Sequence, residues 1–166
     1  MAAIASHAGV SRQTLYNEFG SRDVFAQTFA LRAADRFLTE IEDRFSAYPD
    51  DPYKALEVGF KRFLEMTAED PMVRHIVVRD PGADELLSLF TSRGGPVVEL
   101  GTDRLTARML ELWPAVKEAD ARILAEGLVR LGISHAGLPT ATGDESARRI
   151  VALKKRPKKL DIPAIT

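Results

Sequence analysis

Cysteine is missing from all 166 residues, so neither a disulfide framework nor a thiolate metal site is available to this chain. Histidine is nearly as scarce: His7, His75 and His135 stand apart, no two of them at an i, i+4 spacing, and no His-Glu-x-x-His occurs. They read as structural residues rather than metal ligands or an acid–base centre, and no metal and no cofactor is expected. No apolar run approaches the roughly 20 residues that span a bilayer. Met1 opens no charged-then-apolar leader, so a reducing cytoplasm is the expected setting. A Gly-x-Ser-x-Gly elbow and a glycine-rich phosphate loop are also absent, Gly94-Gly95 being only a break. An enzyme would need a nucleophile or an acid–base pair that this sequence does not display. Nor is there a period-2 strand pattern of useful length or an internal repeat. Charge of one sign is lacking too: 23 Lys and Arg stand against 24 Asp and Glu, a net −1. That argues against indiscriminate polyanion binding and still allows a locally basic face.

What is present is a globular composition, 45% hydrophobic and 28% charged, on a length that suits a small head joined to a larger helical body. The most informative stretch comes first: Ile4-Ala5-Ser6-His7-Ala8-Gly9-Val10-Ser11-Arg12-Gln13-Thr14-Leu15-Tyr16-Asn17-Glu18-Phe19, then Gly20-Ser21-Arg22-Asp23. A short helix of small residues ends at Gly9, which reverses the chain, and Ser11 caps a second helix starting near Arg12. Val10, Leu15 and Phe19 are expected to point inward. Arg12, Gln13, Thr14, Tyr16 and Asn17 are left outside, and these side chains reach base edges and phosphates from a major-groove helix. On an isolated helix the same five residues read equally well as a solvated face.

The ordered string Ala-Gly-Val-Ser-Arg-x-Thr-Leu-Tyr-x-x-Phe-Gly-Ser-Arg-Asp resembles the signature of the TetR (tetracycline repressor) family of bacterial transcription regulators. It covers residues 4–25. The resemblance implies an all-α fold with an N-terminal helix-turn-helix head and connecting helix over 1–45, and a C-terminal effector-binding and dimerisation domain over 46–166. The family's head has three helices, so a first helix is expected to be missing from this numbering, leaving Ile4, Val10, Leu15 and Phe19 short of a packing partner. The resemblance also favours DNA contact over a solvated face. Ser11, Thr14, Tyr16 and Arg22 would then hold phosphates, while Arg12, Gln13 and Asn17 read bases, because amide and guanidinium groups make two directed bonds to one base edge. Arg12 and Arg22 against Glu18 are a thin positive excess for one head, so a homodimer on double-stranded, two-fold symmetric operator DNA is expected. The implied function is ligand-responsive transcription regulation, expected to be repression relieved by a small hydrophobic effector. The alternative is a helical ligand-binding or scaffolding dimer that does not bind DNA.

Helical spacing dominates the rest. Ser21 caps a third helix over about 22–47, with Val24, Phe25, Thr28, Phe29, Leu31, Ala34, Phe37, Leu38, Ile41 and Phe45 as its apolar positions. Asp51-Pro52 and Asp70-Pro71 each place a cap before a proline at the first helical position. The helix opened by Asp70-Pro71 is expected to end at Asp80-Pro81-Gly82, with another beginning near Asp84. Arg93-Gly94-Gly95-Pro96 reads as a break before a helix from Val97 to Trp113. A further helix over about 117–137 is followed by a loop. Thr142-Gly143-Asp144-Glu145 then caps a last helix through Ile150, Val151 and Leu153. Phe60, Phe63, Leu64, Leu87, Phe90, Met109 and Trp113 are candidate effector contacts; plain core is the better reading for any one of them, and the resemblance favours the pocket as a whole. Leu124, Leu128, Leu131 and His135 are the candidate dimer interface. The basic run Lys154 to Lys159 reads as a solvated tail, with an auxiliary DNA contact as the sharper alternative.

Overall fold

Local signals set the helix ends. Gly9 and Gly20 adopt φ of 67° and 70°, the left-handed region that favours glycine, and each turns the chain between helices. Just after each turn a serine takes the cap: Thr14 N donates to Ser11 Oγ at 3.0 Å and Val24 N to Ser21 Oγ at 3.2 Å. Asp51 does the same for Lys54 N at 3.0 Å, and Asp70 for Met72 N at 2.8 Å. In the computed structural model, which describes residues 2–77 and 83–137, the elements are α1 (Ala2–His7), α2 (Arg12–Phe19), α3 (Arg22–Ser46), α4 (Pro52–Glu69), α5 (Pro71–Val77), α6 (Ala83–Phe90), α7 (Gly95–Leu112) and α8 (Glu118–Gly137). The fold is all-α, with no strand among the described residues. The expected stop at Asp80-Pro81-Gly82, the capping box from Thr142, the last helix through Leu153 and the basic run from Lys154 lie outside the described residues.

Two sequence expectations shift. Helix α7 begins at Gly95 rather than Val97, because proline in the first turn lacks only a donor that has no intrahelical partner there. On α3, Val24 and Phe29 are exposed, at 52% and 46%. The helix buries Ala26, Ala30, Ala33, Phe37, Ile41 and Phe45 in steps of three and four, and Val24 and Phe29 fall off that stripe. Similarly, Val10 and Ile4 stay exposed in α1 and the α1–α2 turn, while Ala5 and Leu15 are buried. Phe19 is half-buried, its ring edge-on to Phe25 with centroids 5.0 Å apart.

The body packs α3 between α4 and α7, with α8 closing the layer. Its main cluster joins Leu38, Ile41 and Phe45 of α3 to Leu56, Leu105, Met109 and Ala125. Gly59 lets α3 and α4 approach: a Cβ there would collide with the Phe45 ring. A second cluster, Ala26 and Ala30 with Leu89 and Val97, seats the head-proximal turns of α3 on α6 and α7. Polar ties fasten α3 along its length. Arg104 of α7 binds Asp35, Thr39 and Glu42, with Nε on Glu42 Oε1 at 2.9 Å. Hydrogen bonding to Glu42 is the main reason its guanidinium titrates above the ordinary arginine value.

Candidate functional site

Helix α2 offers an exposed polar face: Ser11, Arg12, Gln13, Thr14 and Asn17 are exposed and Tyr16 is half-buried. Three local contacts order it. Gln13 Nε2 donates to Asn17 Oδ1 at 2.8 Å, joining two amides one turn apart. The Arg12 guanidinium lies over the Tyr16 ring, 5.4 Å from its centroid. The hydroxyls of Ser11 and Thr14 share a hydrogen bond of 2.8 Å at the helix start. Arg22 is exposed at the start of α3, just beyond the α2–α3 turn. Six of the seven residues selected from the sequence thus sit on the N-cap and body of α2, and the seventh, Arg22, opens α3. Pairing leaves Asn17 with both amide protons and Gln13 with its carbonyl oxygen, the set that matches an adenine edge.

The body holds a partly open apolar cavity of about 130 Å3, with walls from α3, α4, α5, α6, α7 and α8. An engineered cavity of ~150 Å3 with a comparable lining stays dry and takes up benzene, so this space suits a small apolar guest. Of the expected effector residues, Phe60, Phe63, Leu87 and Phe90 line it. The other three are not among its lining residues. Leu64 is buried with Phe60 in its own small cluster, and Met109, 1% exposed, belongs to the main core with Phe45 and Ala125. Trp113 closes the far end of that core, its indole N–H donating to the Pro49 carbonyl at 2.7 Å. Heptad-like spacing identified apolar residues correctly and could not say which turn of α7 reaches the cavity. Phe37, Met72, Val73 and Ile133 also line it. Phe37 carried an apolar-stripe signal, whereas nothing in the short α5 segment marked Met72 and Val73.

The rotation of α8 separates its expected residues. Leu128 lines the cavity and Leu124 packs on the main core. His135 meets Phe60 edge-on at 6.0 Å, with Nδ1 2.9 Å from the Leu131 carbonyl. These three face their own chain, because Ala121, Ala125 and Gly132 define the buried side of the helix. Leu131 is 37% exposed and shares the outward face with Ile123, 72% exposed. Between them Gly127 is open: a Cβ there would meet nothing within 4 Å.

Among the described residues no helix is long and apolar enough to cross a membrane, and no group of three or more His, Asp or Glu could hold a metal ion. Residues 51–156 match the family described as bacterial tetracyclin repressor, C-terminal domain. The chain is 35% identical over 150 residues to the HTH-type transcriptional regulator AlkX of Mycobacterium tuberculosis, covering 90% of this chain and 71% of that protein. It also resembles the crystal structure of the TetR family repressor AlkX from Dietzia sp. strain DQ12-45-1b, with a TM-score of 0.77 and 35% identity over 90% of this chain and 78% of that one. With a helix-turn-helix signature in the head and this match over the body, the chain belongs to the TetR family of transcriptional regulators.

Proposed function

We propose that this regulator is a repressor, a cytoplasmic homodimer that leaves its operator when a small hydrophobic effector fills the body cavity. It acts by binding rather than catalysis. The observation that carries the reading is the placement of the cavity: α3, which runs from the head at Arg22 into the body, forms part of its wall. The Dietzia relative is implicated in the biodegradation of n-alkanes, and an aliphatic effector suits an apolar lining. Residues 1–45 form the head with its connecting helix, and 46–166 the effector and dimer domain.

On DNA, Arg12, Gln13 and Asn17 read bases while Ser11, Thr14, Tyr16 and Arg22 hold phosphates. One head is too weakly basic to suffice. The second is supplied by pairing of α8 through its outward face, Ile123, Gly127 and Leu131, one turn apart from one another. A glycine inside a helix costs about 1 kcal/mol relative to alanine. Among the described residues no contact asks for Gly127, whereas close approach of a second α8 would.

Two connections join the cavity to the head-bearing helix. Asp70 caps α5 with Oδ1, at 2.8 Å from Met72 N, and with Oδ2 binds Arg36 Nη2 of α3 at 2.7 Å. Met72 and Val73 of that same α5 line the cavity. On α6, Leu87 and Phe90 line the cavity while Leu89 packs on Ala26 and Ala30, close below the head. A guest that displaces α5 or α6 therefore shifts α3. Two recognition helices must lie about 34–36 Å apart to enter successive major grooves, so a small rotation of α3 abolishes simultaneous engagement.

The test is operator affinity, on a duplex selected by the protein from a random pool, measured with and without hexane. Binding is expected to weaken as hexane saturates the cavity. The exposed Ile4, Val10, Val24 and Phe29 favour one second reading, a ligand-binding dimer whose head does not engage DNA. Binding to random duplex that falls steeply with salt contradicts that reading.

A further inference from the structure

We propose that Thr67 makes the cavity selective for an aliphatic chain ending in a hydroxyl group, recognised through the proton that the hydroxyl donates. The proposal rests on the cavity being the effector site. Among the described residues, Thr67 is the only one lining the cavity with a hydroxyl, amide or charged side chain. It follows Phe60 and Phe63 on one face of α4, at i+7 and i+4, and is 5% exposed. Its own proton is committed: Oγ1 donates to the Leu64 carbonyl at 2.9 Å.

A threonine hydroxyl has one proton and two lone pairs. With the proton engaged inside α4, what Thr67 offers a guest is acceptance alone. An alcohol completes that arrangement by donating. An aldehyde, ketone or ether oxygen would set lone pair against lone pair, and a plain alkane leaves the acceptor unused. An ionised carboxylate finds no cation among the described lining residues, and burying it unpaired is strongly unfavourable. Among its described side chains the cavity thus combines an unspecific apolar volume with one directional element, Thr67. The ligand class it fits is a short, uncharged primary alcohol.

The experiment measures the affinities of 1-hexanol, hexane and hexanal for the full chain and for Thr67→Val and Thr67→Ser. Comparing each ligand between proteins cancels its own cost of leaving water. In Thr67→Val, 1-hexanol is expected to weaken by about three- to tenfold, the value of one net hydrogen bond, while hexane and hexanal hold. Thr67→Ser keeps the hydroxyl and is expected to retain the 1-hexanol preference, which guards against a valine variant that simply packs badly. Equal changes for all three ligands, or an unchanged 1-hexanol affinity while hexane still binds, overturn the hydroxyl selectivity alone. If none of the three binds the wild-type chain, the effector reading of the cavity falls with it.

Discussion

The head buries Ala5 and Leu15 and leaves Ile4 and Val10 to solvent, while the body assembles Phe45, Met109, Leu105 and their neighbours into one packed core, whose Phe45 and Leu105 also line the cavity. Yet the head carries a motif that can be read residue by residue, and the body carries none. A recognition helix is constrained by what it must touch outside the protein, so its surface residues are specified in order. A ligand-holding core is constrained only by volume and apolarity, and many sequences satisfy both. The two regions should therefore respond to substitution in opposite ways, the body in stability and the head in recognition.

The largest effect is expected from Phe45→Ala. Phe45 is 2% exposed and packs on Gly59 and Trp113, so its removal should destabilise the body by about 3–5 kcal/mol, read as a fall in the denaturant midpoint. Leu15→Ala in the head should leave that midpoint nearly in place; a shift as large as that of Phe45→Ala would break the comparison. Next comes Ile123→Glu, which puts two like charges near the dimer axis and should weaken association by about 3–5 kcal/mol without altering the monomer's fold. Sedimentation that still shows a tight dimer would place the interface elsewhere. Leu128→Glu instead intrudes on the cavity.

Within the head, Gln13→Ala or Asn17→Ala should cost about 1–3 kcal/mol on the selected operator and little on random duplex. Thr14→Ala and Tyr16→Phe should weaken both duplexes alike. Equal losses for all four variants on both duplexes would remove the division between base readers and phosphate holders. Arg36→Ala sharpens the connection between regions: with Asp70 still capping α5, effector and operator should each bind as before, while their mutual antagonism shrinks by part of a coupling typically worth about 1–3 kcal/mol. Measuring each affinity in the presence of the other checks it. The smallest effect is expected from Ser21→Ala, where loss of the bond to Val24 N should lower stability by about 1 kcal/mol.

The helix starts at Ser11, Ser21, Asp51 and Asp70 were legible because each is settled within four residues of chain. The outward residues of α2 were legible because a short solvated helix shows one outward face whatever packs behind it. Rotation of the longer helices was not. Leu124, Leu128 and Leu131 all satisfy an apolar stripe, and only the seating of α8 against α7 decides that Leu131 turns outward with Ile123. The cavity's far wall was hidden for a related reason. Met109 and Phe90 are both apolar residues at helical spacing, and the difference between core and lining lies in the distance between helices, which depends on the packing of all of them. Thr67 was legible only as a member of the apolar face of its helix, since a threonine there is ordinary until the apolar side chains described around it are known.

The missing cysteines make the central claim directly measurable. Glu18→Cys places one unique, exposed attachment point per chain beside the recognition face, and a spin label there reports the separation of the two heads by pulsed dipolar spectroscopy. On the selected operator the distribution should be narrow and compatible with recognition helices about 34–36 Å apart. Saturating the DNA-free dimer with hexane should move it away from that spacing. A separation that hexane leaves unchanged, with the cavity shown to be occupied, would contradict control of the heads by the cavity.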